Sequence, residues 1–428
     1  MESGTTRGAP PPTLDAGVEV FVARQPIFGP DRQVKAYELL YRSSRQNSYD
    51  GTDGDTATSR LLVNAFLTLG IDSVTGGRPA FVNFTRNALL SEYPTLLPAD
   101  RLVVEILEDV EPDDEVVAVA RNLKSLGYTL ALDDIVSLDS RYDALLELTD
   151  IVKVDWMLAT DQQKVDVALR CARYRITLLA EKVETEEEFA EAVSLGYSRF
   201  QGYFFSRPNI IEGRDVPAGK TSYLRLLREI NSSDFDLTRI EQVVKSELAL
   251  SYKLLKYLNS AAFTWRRQIT TIRHALVAVG ERELRKWLSV LCLTQMAEDK
   301  PPELALQSLV RAHFCEAMAG LVGMADRSSD LFLTGLFSQL DAIMQRPLGE
   351  ILEQVPMADD VRQALVEGTG RMRHVLDGVI AYERGDWAAV SQVAEVLSIE
   401  PDRVPETYLQ AVKRSDTLFA SKIGRAHV

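Results

Sequence analysis

The sequence predicts an α/β barrel of the TIM type followed by an all-α domain. Its 428 residues exceed the length of one ordinary domain, and each half is long enough to bury its own core. From Val20 to about Pro208, short β-rich runs alternate with amphipathic stretches, which is the pattern of parallel βαβ units. After Pro208 the strand signal stops, and apolar residues recur at helical spacing.

The first half contains eight candidate strands. The first two, FVARQPIF and VKAYELLY, flank the turn-like segment GPDRQ and predict an antiparallel hairpin. The other six are PAFVNF, RLVVEIL, YTLALDD, DIVKVD, ITLLAEK and RFQGYFF, separated by amphipathic stretches such as TEEEFAEAVSL. Eight strands favour a closed barrel over an open sheet.

The second half is predicted to be helical. In LTRIEQVVKSELALSYKLLKYL the apolar residues follow helical spacing, and Asp236 is placed to cap the first helix. The start of the chain, with three consecutive prolines, is typical of a disordered tail. The expected boundaries are a tail at 1–18, a barrel at 19–210, a linker at 211–222, an all-α domain at 223–415 and a second tail at 416–428.

Composition argues against several classes of protein. The net charge of −14 disfavours a nucleic-acid partner held by phosphate neutralisation. Three cysteines without CxxC spacing predict neither a disulfide framework nor a thiolate zinc site. The sequence shows no signal-peptide core and no run of about eighteen apolar residues. We therefore expect a cytoplasmic protein without membrane insertion.

Acidic and amide side chains recur where the predicted strands end. They are Glu38, Asn83, Glu105, Asp133, Asp134, Glu181, Glu184 and Gln201, with Lys153 among them. In a βα barrel the C-terminal ends of the strands share one mouth, so these side chains should converge. Several carboxylates at one mouth repel one another unless cations bind between them. Oxygen ligands without Cys or His favour Mg²⁺ or Mn²⁺ over zinc.

Two interpretations of this pattern remain open from the residues alone. Each acid, taken singly, is an ordinary solvated charge more often than a ligand. Glu38, Glu105 and Lys153, however, lie within apolar strand runs, where a charge is costly to bury unless it is paired or metal-bound. If metals bind, Asp133 or Asp134 could bridge two ions, and Lys153 would orient water or neutralise charge that develops in a phosphoryl displacement.

The first half resembles the EAL domain, the family of cyclic di-GMP phosphodiesterases and their degenerate relatives. Nearly all of residues 20–210 takes part in the match, and Glu38, Leu40 and Arg42 fit the ExLxR motif. The other matching residues, in order, are Asn83, Glu105, Glu108, Asp133, Asp134, Lys153 and Asp155 (KxD), Glu181, Val183 and Glu184 (ExVE), and Gln201, Gly202 and Pro208 (QGxxxxxP).

The resemblance implies a role for each of these polar residues. Those expected to bind Mg²⁺ or Mn²⁺ are Glu38, Asn83, Glu105, Asp133 and Asp134. Those expected to position or activate the attacking water, or to extend that network, are Lys153, Glu181 and Gln201. Those expected to bind substrate are Arg42 and Asp155, and those expected to stabilise the loop after the two aspartates are Glu108 and Glu184.

The sequence departs from active members of the family at that loop. Active members generally follow the Asp pair with FGTGxSS, whose glycines allow tight backbone conformations, whereas this chain has IVSLDSR. The middle residue of the name-giving motif is Leu39 rather than Ala, and the interval from the first motif to Asn83 is short for the family. The resemblance is therefore to a degenerate EAL domain that keeps its metal ligands.

The second half resembles the HDOD domain, an all-α relative of the HD phosphohydrolases. The matching segments are residues 246–263, 270–288 and 332–344. Where a working HD enzyme has a His-Asp pair, this chain has Ser338 and Gln339, so metal-dependent hydrolysis by this half is not expected. The resemblance implies that this domain binds a protein partner. The order of the two domains resembles a bacterial signalling family, and EAL-type barrels commonly form dimers.

Three functions are compatible with these observations. The altered loop favours a non-catalytic regulator, in which the barrel senses cyclic di-GMP or acts as a scaffold and the helical domain binds a protein. The retained ligands favour hydrolysis of cyclic di-GMP to the linear dinucleotide pGpG. The third alternative is an interaction scaffold without nucleotide chemistry.

Overall fold

The first half of the chain forms a closed eight-stranded barrel in the computed structural model, which describes residues 21–42, 70–206, 218–232, 234–246, 280–400 and 403–423. The strands are β1 Phe21–Phe28, β2 Val34–Arg42, β3 Ala80–Phe84, β4 Leu102–Ile106, β5 Thr129–Leu132, β6 Ile151–Asp155, β7 Thr177–Glu181 and β8 Arg199–Phe200. β1 pairs antiparallel with both β2 and β8, and the other neighbouring strands are parallel. The predicted barrel and its antiparallel first strand are confirmed.

An apolar layer fills the barrel below its mouth. Its members are Ile27, Ala36, Phe81, Val103, Ala131 and Leu179, with Ile151 packed against them. Successive side chains on a strand point to opposite faces, so the residue two positions further on points inward again. On β2 to β7 that next inward position is held by Glu38, Asn83, Glu105, Asp133, Lys153 and Glu181. The polar mouth is therefore the layer directly above the apolar one.

The helices cover the barrel and build the second half. Those of the first half are α1 Ile71–Thr75, α2 Arg86–Leu90, α3 Asp114–Ser125, α4 Asp143–Leu146, α5 Asp161–Ala172 and α6 Glu186–Ser194. Those of the second half are α7 Ala218–Asn231, α8 Leu237–Ser246, α9 Glu281–Met296, α10 Pro302–Leu321, α11 Ser328–Phe337, α12 Leu340–Met344, α13 Leu348–Leu352, α14 Asp359–Arg362, α15 Arg371–Glu383, α16 Trp387–Leu397 and α17 Val404–Ile423. Capping boxes at Thr160 and Thr185 begin α5 and α6. Residues 247–279 and the predicted tail at 1–18 lie outside the described part of the chain.

Two predicted boundaries differ from the structure. α7 begins at Ala218, inside the stretch 211–222 that composition marked as a linker. α17 continues to Ile423, beyond the predicted domain end at 415. The helical period continues there, because Leu418 and Phe419 pack against the core as Tyr408 and Val412 do earlier in this helix.

A buried polar network occupies the part of the helical domain where an HD enzyme has its His-Asp pair. Arg311 forms an ion pair of 2.7 Å with Glu383, and both side chains are buried. Arg311 also donates to Ser338, while Gln339 accepts from Ser308 at 3.0 Å. Ser338 and Gln339 thus form hydrogen bonds with protein groups, and the expectation that this half is not a metal-dependent hydrolase stays a prediction.

Strand β1 of the barrel contacts the helical domain. The buried guanidinium of Arg24 donates to both carboxylate oxygens of Asp416 on α17, at 2.8 and 2.9 Å, and its backbone amide donates to the hydroxyl of Tyr408. On the neighbouring strand, Tyr37 donates to Glu303 at the start of α10. The hairpin that closes the barrel is therefore also its contact with the second half.

We expect Gly202→Ala to lower the free energy of unfolding by about 1–3 kcal/mol, because there is no room for a side chain. A Cβ at Gly202 would lie 2.0 Å from the main-chain oxygen of Val183, and the residue has φ +143°. Urea unfolding measures the loss. Gly196→Ala is the matched control, since Gly196 has φ +90° but no atom within 4 Å of an added Cβ. Equal losses in the two variants would contradict the steric cause.

Candidate metal centre at the barrel mouth

The strand ends bring the predicted acidic residues together. One oxygen each of Glu38, Glu105 and Asp133 lie within 4.8 Å of one another, and so do oxygens of Asp133, Asp134 and Glu181. Asp133 belongs to both groups, so it is the residue placed to bridge two cations. The convergence expected from the positions of these residues at strand ends is therefore present.

Lys153 lies at the centre of this carboxylate cluster and is fully buried. Its Nζ atom is 2.5 Å from Glu105, 2.7 Å from Asp133, 3.0 Å from Glu181 and 3.4 Å from Glu38. Burial disfavours the ammonium, but the surrounding carboxylates outweigh burial and raise the pKa of Lys153 above its usual value. Burial also raises the pKa of Glu105 and of Glu181. The cluster holds more acid than one ammonium neutralises.

Several buried oxygens of the mouth accept no hydrogen bond from any described residue. Those that also have no ammonium beside them are Asn83 Oδ1, Glu105 Oε2, Glu181 Oε2 and Gln201 Oε1. A buried acceptor without a donor is costly, whereas a cation satisfies it directly. Carboxylate and amide oxygens are the ligands that Mg²⁺ and Mn²⁺ prefer, so this donor set fits a hard divalent cation.

The loop that follows Asp133 and Asp134, residues 135–141, contains no glycine. Asp134 itself adopts a left-handed conformation with φ +45°, and it is the single non-glycine residue with positive φ between 133 and 141. The amide of Ile135 then donates to the main-chain oxygen of Lys153, which ties the loop to β6. Further along, Arg170 donates to the carbonyl oxygens of Leu138 and Asp139. Asp and Asn tolerate this conformation better than other residues do, so the absent glycines do not prevent the turn.

Lys182 is a residue of the mouth that the motif assignment did not include. It has φ +56°, and its ammonium pairs with Asp155 and lies 3.4 Å from Asp134. The buried carboxylate of Asp155 also accepts the amides of Met157 and Leu158. Its described partners are thus protein groups, and the expected substrate-binding role of Asp155 stays a prediction. The sequence does not reveal a positive φ. It does show a lysine between Glu181 and Glu184 of the ExVE motif, which could have indicated a cation at the mouth.

We expect Lys182→Gly to bind Mn²⁺ more tightly than the wild type, by up to about fivefold, because a competing ammonium leaves Asp134. Folding stability should change little, since relief of the left-handed conformation offsets the lost ion pair. Titration calorimetry with Mn²⁺ measures the affinity. Lys182→Arg keeps the charge and should bind Mn²⁺ as the wild type does; a Gly variant with unchanged affinity would exclude this competition.

The other predicted residues are placed as follows. Gln201, directly after β8, donates to Glu38 at 2.6 Å. The carboxylates of Asp134 and Asp133 contribute, after burial, to a raised pKa of Glu108, although no described hydrogen bond joins the Glu108 side chain to loop 135–141. The backbone amide of Glu184 donates to the carboxylate of Glu188 in the capping of α6. Arg42 ends β2, but its side chain lies outside the described atoms. The roles of Glu108, Glu184 and Arg42 stay predictions.

Fold and site together define a barrel of the EAL type followed by a helical domain of the HDOD type. Residues 60–208 match the family model of the EAL domain, and residues 216–356 match that of the HDOD domain. The chain is 37% identical over 410 residues to the cyclic di-GMP phosphodiesterase CdgJ of Vibrio cholerae, covering 95% of each chain. The chain belongs to the family of proteins in which an EAL domain precedes an HDOD domain.

Other similar proteins cover all or part of the chain. The uncharacterized protein YuxH of Bacillus subtilis is 36% identical over 412 residues, covering 95% of this chain and 100% of that one. Among solved structures, the EAL-domain protein YkuI of Bacillus subtilis is 23% identical with a TM-score of 0.35, covering 43% of this chain and about half, 53%, of its own. A standalone EAL protein of Vibrio cholerae is 24% identical with a TM-score of 0.35, covering 46% and 93%.

No helix in the described part of the chain is both long and apolar enough to cross a membrane.

Proposed function

We propose that the barrel hydrolyses one phosphodiester bond of cyclic di-GMP to give pGpG in a metal-dependent reaction. The observation that carries this proposal is the pair of oxygen clusters that share Asp133. The activity named for the Vibrio cholerae relative, at 37% identity over 95% of both chains, supports the choice of substrate. A pure interaction scaffold would have no use for buried carboxylate oxygens without hydrogen-bond donors, such as Glu105 Oε2 and Glu181 Oε2.

We infer that Glu38, Asn83, Glu105, Asp133 and Asp134 would hold Mg²⁺ or Mn²⁺. When bound, such ions lower the pKa of water and neutralise charge on the transferring phosphoryl group. Lys153, already an ammonium at the centre of the cluster, orients the attacking water and compensates negative charge at the reacting oxygens. Glu181 accepts the proton of that water, because its carboxylate lies beside both Lys153 and the shared Asp133.

A second candidate is binding of cyclic di-GMP without hydrolysis. The observation that favours it is the ion pair between Lys182 and Asp134, which places a fixed ammonium at one of the two clusters. One divalent ion suffices to hold a phosphodiester, whereas in-line displacement in two-metal sites uses both. This candidate keeps the fold, the ligands and the nucleotide, and it differs only in turnover.

The experiment incubates the purified full chain with cyclic di-GMP and Mn²⁺ and follows pGpG, with Glu38→Ala as the site variant. Binding of cyclic di-GMP is measured in parallel in Ca²⁺. Turnover that Glu38→Ala abolishes supports the enzyme. Micromolar binding in Ca²⁺ without turnover in Mn²⁺ supports the second candidate. Neither turnover nor binding would overturn both and leave an interaction scaffold.

We also propose that the helical domain, from about residue 218 to 423, binds a protein partner and does no chemistry. Its support is that Ser338 and Gln339 stand in place of a His-Asp pair and that Ser338 accepts a hydrogen bond from Arg311, which is paired with Glu383. Homodimer formation through the barrel remains part of the proposal. Pull-down with the full chain is compared with a chain that ends before Ala218 and that circular dichroism shows to be folded; equal recovery would reject the partner role.

A further inference from the structure

We propose that Gln25 is a positioning residue of the metal centre and that the helical domain sets its orientation through the main-chain carbonyl of Arg384. This inference rests on the proposed function, because it takes Glu38 as a metal ligand. Gln25 was not among the residues that the sequence indicated. It lies on β1, directly opposite Glu38 in the antiparallel register.

A continuous chain of hydrogen bonds joins the two domains at this point. The side-chain nitrogen Nε2 of Gln25 donates to the main-chain carbonyl oxygen of Arg384 at 3.1 Å. The side-chain nitrogen Nε2 of Gln201 donates to Gln25 Oε1 at 2.8 Å and to Glu38 Oε2 at 2.6 Å. Both N–H groups of Gln201 are thereby used, and its oxygen is the buried atom without a donor that faces the cluster.

The two groups that end this series of hydrogen bonds, the Arg384 carbonyl and the Glu38 carboxylate, fix the orientation of both side-chain amides. A main-chain carbonyl only accepts hydrogen bonds, so Gln25 must present its NH₂ group to Arg384 and its oxygen to Gln201. An ionised carboxylate also only accepts, so Gln201 must present its NH₂ group to Glu38. If the Arg384 carbonyl moved away, Gln25 could rotate, and Gln201 would lose the partner that holds it against Glu38.

The turn that carries this carbonyl is fastened against the mouth. Arg384 is the residue at the C-terminal end of α15, where helix carbonyls have no partner within the helix. Its guanidinium lies 4.7 Å from the ring of Tyr203, two residues after Gln201. Gly385, with φ +67°, lies so close to β2 that an added Cβ would be 2.6 Å from Leu40. These two contacts, together with the hydrogen bond from Gln25, hold the turn in place.

The turn also continues into the interior of the helical domain. Glu383, the preceding residue, forms the buried ion pair with Arg311 in the network that includes Ser338. A change in that network shifts the end of α15, and with it the carbonyl that Gln25 needs. The structure therefore provides a path by which an event in the helical domain alters metal binding in the barrel.

The test measures Mn²⁺ affinity of the full chain by the electron paramagnetic resonance signal of free Mn²⁺, with thermal unfolding in EDTA as the measure of folding. We expect Gln25→Met, which keeps size but loses both hydrogen bonds, to bind Mn²⁺ about tenfold more weakly, as is typical when a partner that orients a ligand is lost. Its unfolding temperature in EDTA should match that of the wild type. The control is Asp416→Asn, which weakens the other contact of β1 with the helical domain and should leave Mn²⁺ affinity unchanged.

A double-mutant comparison tests the role of the helical domain. Gly385→Ala should also weaken Mn²⁺ binding. The double variant with Gln25→Met should bind no more weakly than Gln25→Met alone, because both substitutions remove the same hydrogen bond, the one between Gln25 and the Arg384 carbonyl. Arg384→Ala replaces Gly385→Ala if the latter does not fold. Unchanged affinity in Gln25→Met, or effects that multiply in the double variant, would overturn the inference alone. A wild type that does not bind Mn²⁺ would overturn the proposed function and this inference with it.

Discussion

Asp133→Asn is expected to reduce the rate of cyclic di-GMP hydrolysis by about a thousandfold, which corresponds to about 4 kcal/mol of transition-state stabilisation. Asp133 is the carboxylate common to both oxygen clusters, so its replacement weakens both cation positions at once. Asparagine keeps the shape of the side chain but not the charge needed to bridge two cations. The measurement is pGpG formation at saturating Mn²⁺, together with the stoichiometry of bound Mn²⁺.

The matched control for this prediction is Asp143→Asn. Asp143 is an exposed acid of the same barrel that pairs with Arg170 at 2.5 Å, outside the mouth. Its replacement should leave both the rate and the Mn²⁺ stoichiometry unchanged. Hydrolysis that survives in Asp133→Asn at the wild-type rate would place the reaction elsewhere in the protein.

Lys153→Met is expected to destabilise the metal-free protein by about 3–5 kcal/mol, because it leaves buried carboxylates without their cation. Four carboxylates lie within 3.4 Å of this ammonium. Mn²⁺ should restore much of the loss, since a ligand at one hundred times its Kd stabilises the native state by about 2.7 kcal/mol. Urea unfolding in EDTA and in Mn²⁺ measures both quantities. Hydrolysis should be lost in either condition.

Lys164→Met provides the comparison for that variant. Lys164 is also buried, but it contacts the ring of Trp156 at 4.3 Å and a single exposed acid, Asp161, at 3.3 Å. Its loss should be smaller than that of Lys153 and should not depend on Mn²⁺. If the two lysine variants lost equal stability in EDTA, the cluster of acids would not be the cause.

Most of the fold and the convergence of the acidic residues were predictable because they depend on strand periodicity. Inward positions repeat every second residue, and parallel strands all present their C-terminal ends to one mouth, so Glu105 and Lys153 could be placed together without coordinates. This rule did not place Gln25 at the mouth, because β1 runs antiparallel to its neighbours. On an antiparallel strand the mouth residue lies two positions before the apolar Ile27, not after it.

Backbone conformation was the second source of what sequence reasoning missed. The glycine-free loop suggested an altered site, but the left-handed residue is Asp134 itself, a residue type that accepts this conformation. Lys182 likewise adopts a positive φ that its residue type disfavours, and the surrounding contacts hold it there. Such angles follow from tertiary contacts, so no reading of local residue preferences predicts them.

The contact of Arg24 with Asp416 has a consequence for synthesis of the chain. The two residues are 392 positions apart. At a translation rate of about 5–20 residues per second, β1 waits roughly 20–80 s for the partner that covers it. β1, the first strand of the described chain, is thus among the last to acquire all its neighbours, and a chain that stops before α17 lacks the carboxylate that pairs with Arg24. The contact that covers Arg24 therefore forms only after α17 has been made.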